Sequence, residues 1–338
     1  MKQTFLYVEI GRKIPYYLKT SLMFLRFFNP DADIYYISDI EVARKIKKKY
    51  DLKYIKFDSY QFRDVRKKVI SLYPDKSIHR KNYWLNSLMR LFAIKQFIES
   101  TEISNFIHLE SDSLPLLNKK DYEDLFRMKI ENSTCFNFSD QCVPTIILIT
   151  NRDQYINFIN FLQNAILENL YSPEWFWNDI FSLNLGRDKG FFGALPVVPN
   201  LEANNPRIEG KLIFDTAIYG KYLLGEDPRN HKFIIKSGTI DIEAPDYISK
   251  QTAKWKITLI NELPQLNMME NGDSWKIAVI HNYAKRKLPI FDTKSKVWNQ
   301  IIREANNESK RKRRFSFRLF TLALFHLLYR LVVQNRRY

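Results

Sequence analysis

Phe106-Ile107-His108-Leu109-Glu110-Ser111-Asp112-Ser113-Leu114 is the stretch on which the reading of this chain turns. The apolar run from Ile103 to Leu109 reads as a short buried strand that stops at two carboxylates one residue apart. In extended backbone, residues i and i+2 project to the same side, so Glu110 and Asp112 point together beyond the strand's carboxyl end. In open α/β sheets that end is where ligands bind. Two hard oxygen ligands there suit Mg²⁺ or Mn²⁺ carrying a diphosphate, because these ions bind through one or two carboxylates plus substrate phosphates. The structural alternative is an Asp/Ser-rich turn that merely ends a strand.

Working back toward the N-terminus, Thr4 to Ile10 alternates and reads as strand 1, and Pro15 to Phe28 carries apolar residues at helical spacing up to Asn29-Pro30. Asp33 to Ser38 is strand 2, closed by Asp39; Ile40 to Tyr50 is a charged helix; Lys53 to Phe57 is strand 3. This β-α-β-α-β order implies a parallel sheet with right-handed crossovers. Gln61 to Lys81 is polar and carries no clear period. Asn82 to Ser100 is a long helix leading into the carboxylate strand, with Trp84, Leu85, Leu88, Leu91, Phe92, Ile94 and Phe97 near a 3.6 period.

Working forward, Asp121 to Met128 reads as a short helix, Ser133 to Phe138 and Val143 to Thr150 as strands, and Gln154 to Asn169 as an amphipathic helix. Ile180 to Leu185 is a further helix, Gly190 to Val198 is irregular or strand, and Leu212 to Phe214 is a short apolar segment ending at Asp215. Tyr219 to Leu224 reads as a short helix; Phe233 to Ile235, Trp255 to Ile260 and Trp275 to Ile280 read as strands; Lys296 to Glu304 starts a last helix. There is no internal repeat.

Composition narrows the function classes. The chain has 338 residues, 45% hydrophobic and 15% aromatic, which is a globular composition with room for a large core. Neither G-x-G-x-x-G nor a P-loop occurs, against dinucleotide-binding and P-loop chemistry. Cys135 and Cys142 are the only cysteines and the five histidines are scattered, so there is no zinc signature. The low count fits a reducing compartment, with a Cys135–Cys142 disulfide left open. The sequence runs from Met1 straight into a strand-like segment, so no signal peptide is expected. The formal net charge is +16; nine Lys/Arg lie between Lys310 and Arg337, no acidic residue follows Glu308, and taking these nine away leaves +7.

Three further segments carry chemistry. In Val279-Ile280-His281-Asn282-Tyr283-Ala284-Lys285 an apolar strand ends in an imidazole and then a cation. Imidazole plus two carboxylates suits Mn²⁺, and Lys285 can face a phosphate; a strand-end histidine bonded to backbone is the structural alternative. The second segment runs from Ile213 to Asn230, where Asp215 can N-cap a helix and Gly225 can end it, although polar groups also cluster after Gly225. The third is Trp175-Phe176-Trp177-Asn178-Asp179, where aromatic faces beside a carboxylate suit a sugar ring, or equally the buried first turn of a helix.

Together these segments resemble glycosyltransferases of the GT-A fold. The likeness is to a bacterial group with a strand-ending D-x-D, an F-D-x-x-x-x-G-x-Y-L-x-G-x-D-P-R-N segment and a late H-x-H-x-K. Here these are Glu110-Ser111-Asp112, Phe214 to Asn230, and His281 to Lys285, covering about Thr4 to Phe291 in order. The chain departs from the pattern with Glu110 at the first acidic position and Tyr283 at the second histidine. The resemblance implies an α/β, Rossmann-like, mostly parallel central sheet flanked by helices over residues 1–295. It implies an enzyme of hexosyltransferase type using a nucleotide-sugar donor, foremost a UDP-sugar, and Mn²⁺ or Mg²⁺. Asp112 would coordinate the ion on the donor diphosphate, Glu110 would contact the ion or the donor ribose, and His281 would complete the metal site. Arg90 would reach the donor, and Asp39 would meet the base or ribose. An inverting enzyme also needs a carboxylate to deprotonate the acceptor hydroxyl, for which Asp179 and Asp215 are the candidates; a retaining one does not.

Residues 296–338 form the second unit. Phe315 to Val333 is almost wholly apolar but contains Arg318, His326 and Arg330, and basic residues flank it on both sides. A transmembrane helix needs about 20 predominantly apolar residues and central Arg is costly, so a basic amphipathic helix lying on an anionic bilayer is expected. The expected setting is cytoplasmic, peripheral at the inner face of the membrane, with a glycan or glycolipid acceptor of surface-polysaccharide or lipopolysaccharide type. Two other readings exist: a basic nucleic-acid-binding protein, and a catalytically inactive glycan-binding relative. Against the first, the basic residues concentrate in an apolar tail and no nucleic-acid-binding motif is present, so no nucleic-acid partner is expected.

Overall fold

Thr4–Glu9 (β1) is buried at every position, and its unbroken TFLYVE run suits a central parallel strand covered on both faces. The structure, a computed structural model, describes residues 2–11, 14–73, 82–127, 131–136, 141–173, 176–197, 212–216, 254–260, 263–270 and 273–281. From β1 the chain passes through α1 (Tyr16–Phe28), β2 (Asp33–Ser38), α2 (Arg44–Tyr50) and β3 (Leu52–Lys56), in the alternation expected from the sequence. β1 pairs in parallel with β2, and β2 with β3.

The stretch without a clear period contains a helix, α3 (Arg63–Leu72). Val65 and Val69, one turn apart, are its buried face; four basic residues on so short a helix hide that stripe from sequence inspection. Next come α4 (Tyr83–Ser100), β4 (Phe106–Leu109), β5 (Ser113–Pro115), α5 (Lys119–Arg127), β6 (Ser133–Phe136), β7 (Cys142–Ile149), α6 (Arg152–Leu167), α7 (Asp179–Asp188) and β8 (Gly193–Leu195). The main sheet has seven strands in the order β3-β2-β1-β4-β7-β6-β8. It is parallel except at β7, which runs against both β4 and β6. The chain is therefore an α/β protein with a mostly parallel central sheet between helices.

One core face joins the sheet to α3, α4, α6 and α7, with Phe92, Phe97, Phe106 and Trp177 inside it. The other lies beneath α1, α2 and α5, with Tyr7, Leu18, Tyr36 and Tyr122. α4 buries residues on most of its circumference, including Leu88, Met89, Phe92 and Ala93, because it lies on β1 and is itself overlain by α6 and α7. Fully burying one such Phe or Leu side chain is worth about 1.5–3 kcal/mol.

β9 (Leu212–Phe214), β10 (Lys254–Ile260), β11 (Leu263–Glu270) and β12 (Asp273–His281) lie outside this sheet. β10, β11 and β12 form an antiparallel meander, and β12 also pairs antiparallel with β5 and parallel with β9. The sequence reading placed no strand at β5 or β11. β5 is three residues long and ends in Pro115; β11 holds Pro264. Both are read as strands only through their partners. Cys135 and Cys142 are buried free thiols, so the disulfide left open by the sequence is not formed. Among the described residues no helix is long and apolar enough to cross a membrane. The expected helix at 219–224, the strand at 233–235 and the whole of 296–338 lie outside the described residues.

Candidate active site

β4 ends at Leu109, and the carboxylates sit in the turn where the chain leaves the main sheet for the second one. Glu110 N–H donates to Thr145 O at 3.2 Å and Ser113 N–H to Glu110 O at 3.0 Å, which fixes the turn. The Ser113 hydroxyl donates to Thr145 O as well. The two carboxylates converge as their spacing implied, but from a turn between sheets and not from continuous extended strand.

The imidazole arrives from the far end of the chain. β12 is registered on β5 so that His281 stands opposite Ser113. His281 Nε2 lies 3.3 Å from Asp112 Oδ1 and 3.4 Å from Glu110 Oε2. The potential ligand atoms of Glu110, Asp112 and His281 all fall within 4.8 Å of one another. Arg90, from α4, donates to Glu110 Oε1 at 2.6 Å and to Asp179 Oδ2 at 2.6 Å. The result is a row of alternating charge: Asp112, His281, Glu110, Arg90, Asp179.

Burial opposes the Glu110 charge, but Arg90 and His281 outweigh it and hold the carboxyl below its usual range. Burial also opposes the His281 cation; Asp112 and Glu110 overcome it and lift the imidazole to about 10. Asp179 goes the other way: burial raises it above the usual carboxylate range despite Arg90. Burial likewise opposes the Arg90 cation, and Asp179 and Glu110 hold it firmly charged.

This donor set suits a hard divalent ion. Two carboxylates and an imidazole surround a common centre: their ligand atoms fall within 4.8 Å of one another, and atoms sharing one Mg²⁺ or Mn²⁺ at bond lengths near 2.1 Å lie at most about 4.2 Å apart, so an inward shift of a few tenths of an ångström would close the set on an ion. Three carboxylates face one guanidinium and one imidazolium. The set is thus one positive charge short, which a dication replacing the imidazolium proton would make up.

The other expected residues fall as follows. Asp179 is the first helical residue of α7, after the N-cap Asn178, whose side chain accepts from Phe181 N–H at 2.8 Å. Asp215 follows β9 and is wholly buried; its Oδ2 accepts from His281 N–H at 2.8 Å. The helix that Asp215 was expected to cap lies outside the described residues. Asp39, at the end of β2, accepts from Gly11 N–H at 2.8 Å, tying together the carboxyl ends of β1 and β2. Gly11 has φ +75°, a backbone conformation that favours glycine, and a Cβ there would displace the Asn86 side-chain amide of α4. Trp175 and Lys285 lie outside the described residues.

Of the two readings of the Trp175–Asp179 segment, the buried one holds for Phe176 and Trp177. Phe176 and Trp177 are 1% and 0% exposed, and Trp177 packs edge-on against Phe181. Their aromatic faces close the sheet–helix interface and offer no flat surface to a ligand. Sequence inspection also missed Ser87, one turn ahead of Arg90 on α4, which stands beside Asp179 and favours its charged form, while its hydroxyl donates to Trp84 O at 2.8 Å.

No protein-family model matches the chain, and no curated protein matches it significantly. Solved structures similar to it include the galactosyltransferase LgtC in complex with donor and acceptor sugar analogues, at 10% identity over 90% of this chain and 96% of that one, TM-score 0.45. Another is the glycosyltransferase GlyE of Streptococcus pneumoniae TIGR4, at 13% identity over 92% of this chain and 64% of GlyE, TM-score 0.41. A third is mouse xyloside xylosyltransferase 1, at 12% identity over 61% and 91%, TM-score 0.37. With TM-scores below 0.5, these likenesses add no argument to the one the side chains make.

Proposed function

We propose that this chain is a metal-dependent glycosyltransferase of GT-A type, moving a hexose from a nucleoside-diphosphate sugar, foremost a UDP-sugar, to a glycan or glycolipid acceptor. The observation that supports this is the meeting of Glu110, Asp112 and His281 at the carboxyl end of β4, beside the linked ends of β1 and β2. That is the ligand-binding edge of an open α/β sheet.

In this reading Asp112, His281 and one oxygen of Glu110 hold Mn²⁺ or Mg²⁺. When bound, the ion supplies positive charge for the diphosphate leaving group. The bond from the sugar's anomeric carbon to the diphosphate breaks, and its electron pair leaves with the diphosphate. A new bond forms from that carbon to the acceptor oxygen, whose proton must be taken up. In an inverting course Asp179 accepts it, burial having raised its carboxyl above the usual range. Asp215 is committed to the main chain of His281 and serves as a positioning residue. Arg90 orients Glu110 and Asp179 and faces the donor between them. Asp39 meets the nucleoside at the β1/β2 edge, and Lys285 answers a phosphate. The tail from 296 to 338 holds the enzyme at the inner face of an anionic membrane, where a surface glycan is built.

Calorimetry of a nucleotide-sugar panel with and without Mn²⁺, on wild type and Asp112→Ala, tests the reading. Metal-dependent binding of one donor, lost in the variant, is expected. A folded protein that binds no donor with or without Mn²⁺ would overturn it.

A further inference from the structure

The excess positive charge of this chain resides in two segments. Residues 44–68 hold eleven Lys/Arg against three Asp, a net +8, and residues 310–337 hold nine Lys/Arg and no acid. Taking this eight and nine from +16 leaves the remaining chain at −1. The first segment is fully described, and it lies at one edge of the main sheet.

β3 is the edge strand of the main sheet. The pleat turns Tyr54 toward the core beneath α2 and Ile55 toward the core beneath α3, so the two helices flank the edge, one on each face. Ile46 and Tyr50 anchor α2, and Val65 and Val69 anchor α3. Arg44, Lys45, Lys48 and Lys49 on α2, Lys53 and Lys56 on β3, and Arg63 and Lys67 on α3 are exposed. Lys53 also pairs with Asp33, which blunts the strand edge. Tyr60, just before α3, is 72% exposed with the Arg63 guanidinium over its ring at 4.8 Å, and Ile70 on α3 is 47% exposed. Cations interspersed with exposed amphipathic and apolar side chains suit headgroups above and acyl boundary below.

We propose that this β3 edge, with α2 and α3, is a docking surface for an anionic phospholipid bilayer, separate from the C-terminal tail. A bilayer is favoured over a nucleic acid because Ile70 has no use on a polyanion, and because the most basic segment of the chain, 310–337, is interleaved with a long apolar run. β3 lies parallel to β1 and β4, so its carboxyl end is on the same side of the sheet as the metal cluster. The surface would therefore hold the ligand edge at a fixed height over the lipid. This inference rests on charge and exposure and is independent of the sugar-transfer reading.

Co-sedimentation of the full chain, tail intact, with phosphatidylglycerol-containing and with pure phosphatidylcholine vesicles tests it. The combined variant Lys45→Glu, Lys48→Glu, Lys49→Glu, Lys67→Glu is compared with wild type. Each cation at an anionic surface is worth about fivefold in partition, so a loss of roughly tenfold or more from the anionic vesicles is expected. Binding to phosphatidylcholine and the calorimetric metal affinity should not change. A milder set with Gln at the same four positions should fall between the two and guards against a folding defect in the reversed set. Unchanged partition of both variants would overturn the proposal. So would loss of single-stranded DNA binding in the variants with vesicle binding intact.

Discussion

Arg90 holds Glu110 by one carboxylate oxygen only: Nη1 sits 2.6 Å from Oε1, while Oε2 turns to His281. The guanidinium's other arm is on Asp179 at the same distance. Removing Arg90 would leave Asp179 without a cation and Glu110 with His281 alone, and breaking a buried pair this way costs about 3–5 kcal/mol. Arg90→Met should therefore lower the urea midpoint by that equivalent, and Mn²⁺ should recover part of it by supplying charge to Glu110. A midpoint within experimental error of wild type would show that the row of charges is not coupled.

Asp215 separates a base from a brace. If its carboxylate positions the His281 main chain, Asp215→Asn keeps an acceptor oxygen and should bind Mn²⁺ within a few-fold of wild type. Asp215→Ala should bind about tenfold or more weakly, since it strands a buried N–H. Electron paramagnetic resonance of free Mn²⁺ reads this without turnover. A base would give the opposite pattern: normal metal affinity in both variants and no transfer in either.

Metal affinity should climb with pH. The folded imidazole of His281 stands near 10 against its ordinary 6.5, lifted by Asp112 and Glu110 over the opposing effect of burial. Its ion pairs thus stabilise the metal-free fold fully below pH 6.5, and that contribution fades as pH rises through 10. A metal ion requires the neutral ring, so binding between these limits releases about one proton and tightens by up to tenfold per pH unit. Calorimetry at pH 8 in two buffers of different ionisation enthalpy counts the proton; a buffer-independent heat would rule the linkage out.

His108 produces the reverse dependence. Burial, with Arg90 adding to it, pushes this imidazole down to about 3, and its Nδ1 lies 3.1 Å from Leu6 O in the adjacent strand. The ring is held neutral in the fold but takes up a proton on unfolding below pH 6.5. The stability it supports is present above 6.5 and is lost as pH falls toward 3, at up to about 1.4 kcal/mol per pH unit. His108→Gln should flatten the decline between pH 6 and pH 4 in chemical denaturation, whatever it costs at pH 7.

The first five elements were legible because each keeps one period throughout: TFLYVE and DIYYIS are extended runs, and Tyr16–Phe28 repeats at helical spacing. Glu110 and Asp112 were legible because a carboxylate pair after an apolar strand is a local pattern. What stayed hidden is non-local. β5 is a strand only because β12 lies beside it, and the contact of Lys276 on β12 with Asp121 on α5 joins segments no window spans. Trp177 stayed undecided because a buried aromatic and a binding aromatic are the same letter; only the α4–α7 packing decides. The Arg90–Asp179 pair was hidden for a related reason, since each residue alone is an ordinary charge on a helix.

The register of β12 on β5 has a kinetic consequence. The carboxylates are in place once β4 and its turn have formed, but the imidazole is delivered only when His281 settles opposite Ser113. That pairing closes a long loop, and contacts of high sequence separation form slowly. A side-chain period of two means that a slip of one residue turns His281 away from both acids. Full affinity for a divalent ion is therefore acquired late in folding, and its appearance in a refolding experiment would time the docking of the last strand onto an already assembled sheet.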